Sequence, residues 1–183
     1  MNQKNSSAVR RLVFIALMAV LICVCSWITI PYTIPFTMQT FAVFCALLLL
    51  GGRNGTAAIG LYVLMGLIGL PVFSGFRGGI GPLFGPTGGY IIGFIFSGIV
   101  YLLAEPLLPR HKVLRWVTLV ISLAVCYLIG TLWFVVVYAN QGVSYTFLKA
   151  LTLCVFPYVL PDCAKLVLAV LLCDRVQRHI ATK

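Results

Sequence analysis

Acidic side chains are nearly missing from this sequence. Glu105, Asp162 and Asp174 are the only three in 183 residues. Hydrolases that divide acid and base work between two carboxylates need them as a close pair, and no pair is spelled out here, since Glu105 and Asp174 flank the ends of apolar runs. Histidine is as scarce. The two present, His111 and His179, sit beside basic residues, so no His-rich metal motif exists. The glycine-rich stretch SGFRGGIGPLFGPTGGY (74–90) holds seven glycines and two prolines, yet it lacks the Lys-Ser/Thr pair of a phosphate-binding loop. A G-x-S-x-G nucleophile turn is missing too. The chain is therefore expected to be no enzyme and to need no cofactor or metal.

Charge of either sign is in short supply, at 9% of residues, where a soluble domain carries roughly 25%. This excludes a water-filled exterior. What the chain has instead is hydrophobicity, at 62% of residues with a mean hydropathy of +1.10. Its environment is the lipid bilayer and its expected location the cell membrane, as a multi-pass protein. The net charge of +10 does not point to nucleic acid, because the basic residues cluster between apolar spans rather than forming a stripe interleaved with aromatics. Seven cysteines follow no metal or disulfide spacing and read as small apolar packing residues. The apolar run Leu12–Cys25 has no cleavage site after it and is expected to be a retained first helix.

The runs predict one all-α membrane domain over 1–183, a six-transmembrane-helix bundle with approximate helices 12–30, 37–51, 54–71, 87–105, 115–139 and 147–175. Two of these are short for the ~20 residues a spanning helix needs. With the N-terminus inside, ten of the thirteen basic residues (Lys4, Arg10, Arg11, Arg53, Arg110, Lys112, Arg115, Arg175, Arg178 and Lys183) fall on one side. Both termini are therefore expected to be cytoplasmic. Arg77, Lys149 and Lys165 lie on the outer side, with the glycine-rich stretch and the connection 28–37.

Asp162 and Lys165 are the sharpest chemical signal. Charges within a membrane helix face a cavity or a partner, and at i,i+3 these two share a face. Either they form a salt bridge that stabilises the bundle, or they hold a ligand, with Asp162 accepting N–H donors and Lys165 attracting an anionic group. Pro157 and Pro161 are expected to bend the sixth span beside them. Tyr90 and Tyr158 offer hydroxyls at the same end, or are interfacial aromatics. Arg77 has three readings: a ligand carboxylate, lipid headgroups, or a backbone carbonyl of its own loop.

Residues 34–94 closely resemble the BioY family, the biotin-binding S components of energy-coupling factor (ECF) transporters. The resemblance is carried by IPFTMQT (34–40), GLIGLPVF (66–73) and GPTGGY (85–90), and it resumes in FPYVLPDCAKL (156–166). It implies a six-helix membrane protein that captures biotin from outside and associates with a transmembrane coupling subunit and two ATPases. It also implies a lid over the site, here residues 28–37 with Tyr32 and Phe36. Asp162 and Lys165 match the family's sixth-helix acid and lysine. By that resemblance Asp162 meets a ureido N–H of biotin, and Lys165 or Arg77 its carboxylate. Small residues on the first helix of such subunits dock the coupling subunit; Ala16, Ala19 and Cys23 are the candidates here. Pro161 departs from the glycine common before the acid. The competing readings are an S component for thiamine or riboflavin, a lipid-acting enzyme without a visible catalytic pair, and a purely structural bundle.

Overall fold

The computed structural model describes residues 3–32, 34–110 and 112–181. Lys183 and Thr33 lie outside the described residues, as do the side chains of Lys4, Arg110 and Lys112. In chain order come α1 (Gln3–Trp27), β1 (Thr29–Ile30), β2 (Phe36–Thr37), α2 (Gln39–Leu67), α3 (Gly81–Phe84), α4 (Gly88–Ala104), a 3-10 turn (Glu105–Arg110), α5 (Lys112–Asn140), α6 (Phe147–Cys154) and α7 (Phe156–Ala181). Five helical stretches among the described residues are long and apolar enough to cross a membrane: Ser6–Trp27, Gln39–Leu67, Gly88–Leu107, Val113–Asn140 and Phe156–His179. Their outward faces stay apolar, as a hydrocarbon surround requires; Leu103 and Leu160 are 73% and 81% exposed.

α2 is one element in name but two in direction. Gly51 adopts φ 78, ψ 173, a left-handed conformation that glycine enters without steric cost, and the chain turns back there. The Gln39 amide donates to the Tyr62 hydroxyl at 2.7 Å, although 23 residues of straight helix would separate them by about 34 Å. Where the two arms cross, a Cβ on Gly55 would sit 2.8 Å from the Leu47 Cα. The turn is fastened from α4's end, where a Glu105 carboxylate oxygen accepts the Gly52 N–H at 3.0 Å. The runs expected at 37–51 and 54–71 are thus helical over 39–50 and 54–67, with Thr37 in β2 and the chain leaving the helix after Leu67, and the two lie side by side.

α4 and α5 meet along a seam of small residues. A Cβ on Gly89 would lie 2.2 Å from the Trp133 Cβ, and one on Gly93 3.0 Å from the Cys126 carbonyl oxygen. Ser97 crosses the same seam, donating to the Ser122 carbonyl at 2.7 Å. The core runs through α1, both arms of α2, α4, α5 and α7, and holds Ile22, Leu47, Ile59, Tyr62, Phe73, Leu119 and Cys173. Six of the seven cysteines are buried in it or beside it, Cys163 being the exposed one.

Several expected boundaries are corrected. The first helix covers 3–27 rather than 12–30, because the chain leaves it to form the antiparallel β1–β2 pair, Thr29 opposite Thr37 and Ile30 opposite Phe36. The expected span 147–175 is two helices, broken at Val155 (φ −122, ψ −56). Pro157 falls in the first turn of α7, where its missing N–H costs nothing; Pro161 lies inside α7. Ala19 and Cys23 are 0% and 4% exposed and pack into the bundle, so they present no surface to a partner subunit; of the three docking candidates only Ala16 is exposed.

Candidate functional site

Asp162 and Lys165 stand one turn apart on α7, 4% and 5% exposed. Two isolated charges at that depth would be severely penalised; here each is matched. Lys165 Nζ donates to Asp162 Oδ1 at 2.7 Å. Thr40, at the start of α2, donates its hydroxyl to the same oxygen at 2.9 Å. The Tyr127 hydroxyl, from the middle of α5, donates to Oδ2 at 2.5 Å. Lys165 also donates to the Thr37 carbonyl at 2.5 Å, and its ammonium lies 3.8 Å from the centre of the Phe36 ring, within cation–π range. Three elements and the β1–β2 hairpin therefore converge on one ion pair.

The hairpin is held down at a second point. The Tyr158 hydroxyl donates to the Ile34 carbonyl, its ring stacks on Phe36 at 6.2 Å, and Tyr32 meets it edge-on at 6.4 Å. Beneath lies a cavity that leaves about 70 Å³ for the centres of water-sized molecules. It is lined on the polar side by Asp162, Lys165, Tyr127, Thr40 and Gln39, and on the softer side by Phe94, Ile91, Cys126 and Cys154. Pockets for drug-sized ligands run to roughly 300–1,000 Å³, so the space left beneath the hairpin is small for a ligand of that kind.

Of the residues singled out in the sequence, Asp162, Lys165, Tyr90 and Tyr158 line this one cavity. Tyr90 shares a hydrogen bond with Thr131 at 3.3 Å. Tyr32 and Phe36 form the cover. Arg77 is elsewhere, on an open recess of about 480 Å³ shared with Tyr32, Pro35, Pro82 and Thr87. The sequence reading missed Tyr127, Thr40, Thr37 and Gln39. The last three stand inside IPFTMQT, and Tyr127 carried a signal of its own: a phenol at mid-span, away from the interfaces where tyrosine collects.

The glycine-rich stretch packs around this end. A Cβ on Gly88 would fall 1.7 Å from the Leu83 carbonyl oxygen, which fixes the approach of α3 to α4. Trp133 closes the packing by donating to the Gly85 carbonyl at 3.1 Å. Away from the site, the other two carboxylates have structural duties: Glu105 caps the Gly51 turn, and Asp174 pairs with Arg115 at 2.7 Å.

An apolar helical bundle with a charged and hydrogen-bonded cavity under a hairpin cover defines a multi-pass protein of the cell membrane. The chain belongs to the BioY family, whose model matches residues 1–182. It is 38% identical to the biotin transporter BioY of Thermotoga maritima, over 92% of this chain and 96% of that one. It is 40% identical to a probable biotin transporter BioY of Pyrococcus horikoshii, over 79% and 81%. Its fold matches the crystal structure of an S-component for biotin from an ECF-type ABC transporter, with a TM-score of 0.80 at 25% identity, covering 97% of this chain and 95% of that one.

Proposed function

We propose that this protein captures biotin at the outer face of the cell membrane, as the substrate-specificity subunit of an ECF transporter. One observation carries the reading. The buried Asp162–Lys165 pair sets an acceptor and a donor 2.7 Å apart, on the polar wall of a cavity whose other side is soft and apolar. A ureido ring carries N–H donors beside a carbonyl acceptor, and so presents the complementary pattern. Asp162 retains lone-pair capacity beyond its three hydrogen bonds, and Lys165 has a third N–H. The flanking Phe94, Ile91, Cys126 and Cys154 suit the thioether ring fused to it. Tyr90 and Tyr158 add hydroxyls at the rim.

The domain, 1–183, is read as six membrane segments, the reversal at Gly51 supplying the second and third. Both termini are assigned to the cytoplasm. Support comes from the gathering of Arg53, Arg115, Arg175 and Arg178 at the end where Glu105 meets Gly52 and Gln177 reaches the Leu48 carbonyl at 2.9 Å, as the positive-inside rule requires. The transmembrane coupling subunit and two ATPases of the ECF assembly supply the energy for inward release, and α1's exposed face, including Ala16, is where the coupling subunit is expected to meet this one.

The decisive experiment is equilibrium binding of radiolabelled biotin to the purified protein in detergent, with thiamine as competitor. Saturable binding that thiamine leaves untouched and that Asp162→Asn weakens by at least about tenfold is the expected result. A monodisperse, folded sample that binds no biotin would sink the proposal; displacement by thiamine would move the specificity to another vitamin.

A further inference from the structure

A ureido group carries two N–H donors, and the ion pair answers to one of them. Asp162 already accepts from Lys165 and Thr40 on Oδ1 and from Tyr127 on Oδ2, which leaves one of its roughly four lone-pair sites open. The second N–H needs another acceptor. Among the described side chains that line the cavity, the only amide is that of Gln39. It stands at the start of α2 beside Thr40, 6% exposed. An amide is two-faced, because its oxygen accepts and its nitrogen donates. Which end the ligand meets depends on what holds the other.

Two buried hydroxyls settle the direction. Gln39 Nε2 lies 2.7 Å from the Tyr62 hydroxyl, and Ser26, near the end of α1, is in hydrogen-bonding contact with that same hydroxyl. The Ser26 oxygen stands 2.5 Å from the Val72 carbonyl and 2.7 Å from the Cys23 carbonyl. Carbonyls only accept, so the single Ser26 proton goes to them. Ser26 then meets Tyr62 as an acceptor and takes its O–H. The Tyr62 oxygen is left to accept from Gln39, which turns the amide nitrogen toward Tyr62 and the amide oxygen away. On that side the Thr37 hydroxyl accepts the Gln39 backbone N–H at 3.3 Å and directs its own proton to Oε1 at 3.5 Å, a contact too long to use up the acceptor. Oε1 therefore keeps a lone pair for a donor in the chamber.

Resting on the biotin reading above, we propose that Gln39 accepts the second ureido N–H through Oε1, and that Tyr62 and Ser26 are positioning residues that fix the amide in that sense. Specificity follows from polarity. A ring with an acceptor in place of that N–H meets a like group in a buried site and is rejected. Tyr62 and Ser26 are both fully buried, Tyr62 in the cavity wall and Ser26 off it. The line of hydroxyls begins at the Val72 carbonyl and ends at the ligand. Through it α1, which gives the described lining no side chain, takes part in choosing what the chamber holds.

The test is equilibrium biotin binding by Gln39→Leu, Tyr62→Phe, Ser26→Ala and their pairwise combinations, with thermal unfolding in detergent as the folding control. Gln39→Leu is expected to weaken binding by about tenfold, and Tyr62→Phe and Ser26→Ala by about threefold to tenfold each, the range of a neutral hydrogen bond. Ser26→Ala frees the Tyr62 proton for Oε1, so the amide turns and offers the ligand a donor where it needs an acceptor. The effects are expected not to add. On a Gln39→Leu background, Tyr62→Phe and Ser26→Ala each change affinity by less than about twofold. A structural role would move the melting temperature, but its effect on affinity would have no reason to depend on Gln39. Additive effects overturn the inference, and so does wild-type affinity in any of the three single variants. If Tyr62→Phe fails to fold, Ser26→Ala and Gln39→Leu with their double variant complete the same cycle. A wild type that binds no biotin at all is a different failure, because it removes the biotin reading and this inference falls with it.

Discussion

Asp162 accepts three hydrogen bonds, and they do not carry equal weight. Removing Lys165 alone strands a buried carboxylate, a change that costs on the order of 3–5 kcal/mol; Lys165→Met is expected to unfold at a clearly lower temperature in detergent. Neutralising both partners, Asp162→Asn with Lys165→Met, restores most of that stability but not biotin binding. If the double variant were as unstable as the single one, the pair would be structural rather than ligand-directed. Tyr127→Phe removes a single hydroxyl donor and keeps the ring, so we expect biotin affinity to fall by roughly tenfold with little change in melting temperature. At this scale the sequence exposed charge and concealed hydroxyls. Asp162 and Lys165 stand out from any apolar span because their burial needs a reason. Thr40 and Tyr127 acquire meaning only once α2 and α5 are seen to bring them to the same carboxylate, from positions 122 and 35 residues away in the chain.

The helical elements were legible where glycine and polar residues punctuate apolar runs. GGRNG marked the reversal that Gly51 makes, and GPTGGY marked the start of α4. The break between α6 and α7 was misplaced, because prolines attract attention to themselves. Pro157 sits where a helix tolerates it, and the fracture falls on the preceding Val155, which carries no compositional mark. The hairpin cover was expected as a connection and a lid, but its pairing of Thr29–Ile30 with Phe36–Thr37 is too short to leave a periodic pattern. Glycines at the element contacts give a graded prediction. Gly88→Ala and Gly89→Ala place a methyl against the Leu83 backbone and Trp133, and each is expected to cost about 1–3 kcal/mol. Gly60 meets nothing within 4 Å, so Gly60→Ala is expected to leave stability unchanged or raise it by up to about 1 kcal/mol. Thermal unfolding of the three variants in one detergent would order them; a Gly60→Ala protein less stable than Gly89→Ala would refute the packing described for α4 and α5.

For the molecule as a whole, the two ends carry different chemistry. One end gathers arginines around structural carboxylates, and the other gathers aromatics, the cover and Arg77. The orientation read from charge has a direct check. With cysteines introduced by Arg53→Cys and Arg77→Cys, a membrane-impermeant thiol reagent applied to intact cells is expected to label position 77 and spare position 53, labelling the latter only after the membrane is opened. The reverse pattern would invert the protein in the bilayer.

Consider finally what the fastening of the β1–β2 hairpin means for time rather than affinity. The groups that close the cover are Lys165, on the Thr37 carbonyl and the Phe36 ring, and Tyr158, on the Ile34 carbonyl. In the proposed function Lys165 is also half of the recognition pair, so the grip on the cargo and the bolt on the door would share one ammonium. Breaking these contacts together costs about 3 kcal/mol at ordinary strengths, which slows spontaneous escape on the order of a hundredfold. A scavenger of scarce nutrient gains by such slow leakage. A Tyr158→Phe variant, with one bolt drawn, is expected to release bound biotin faster in a chase measurement.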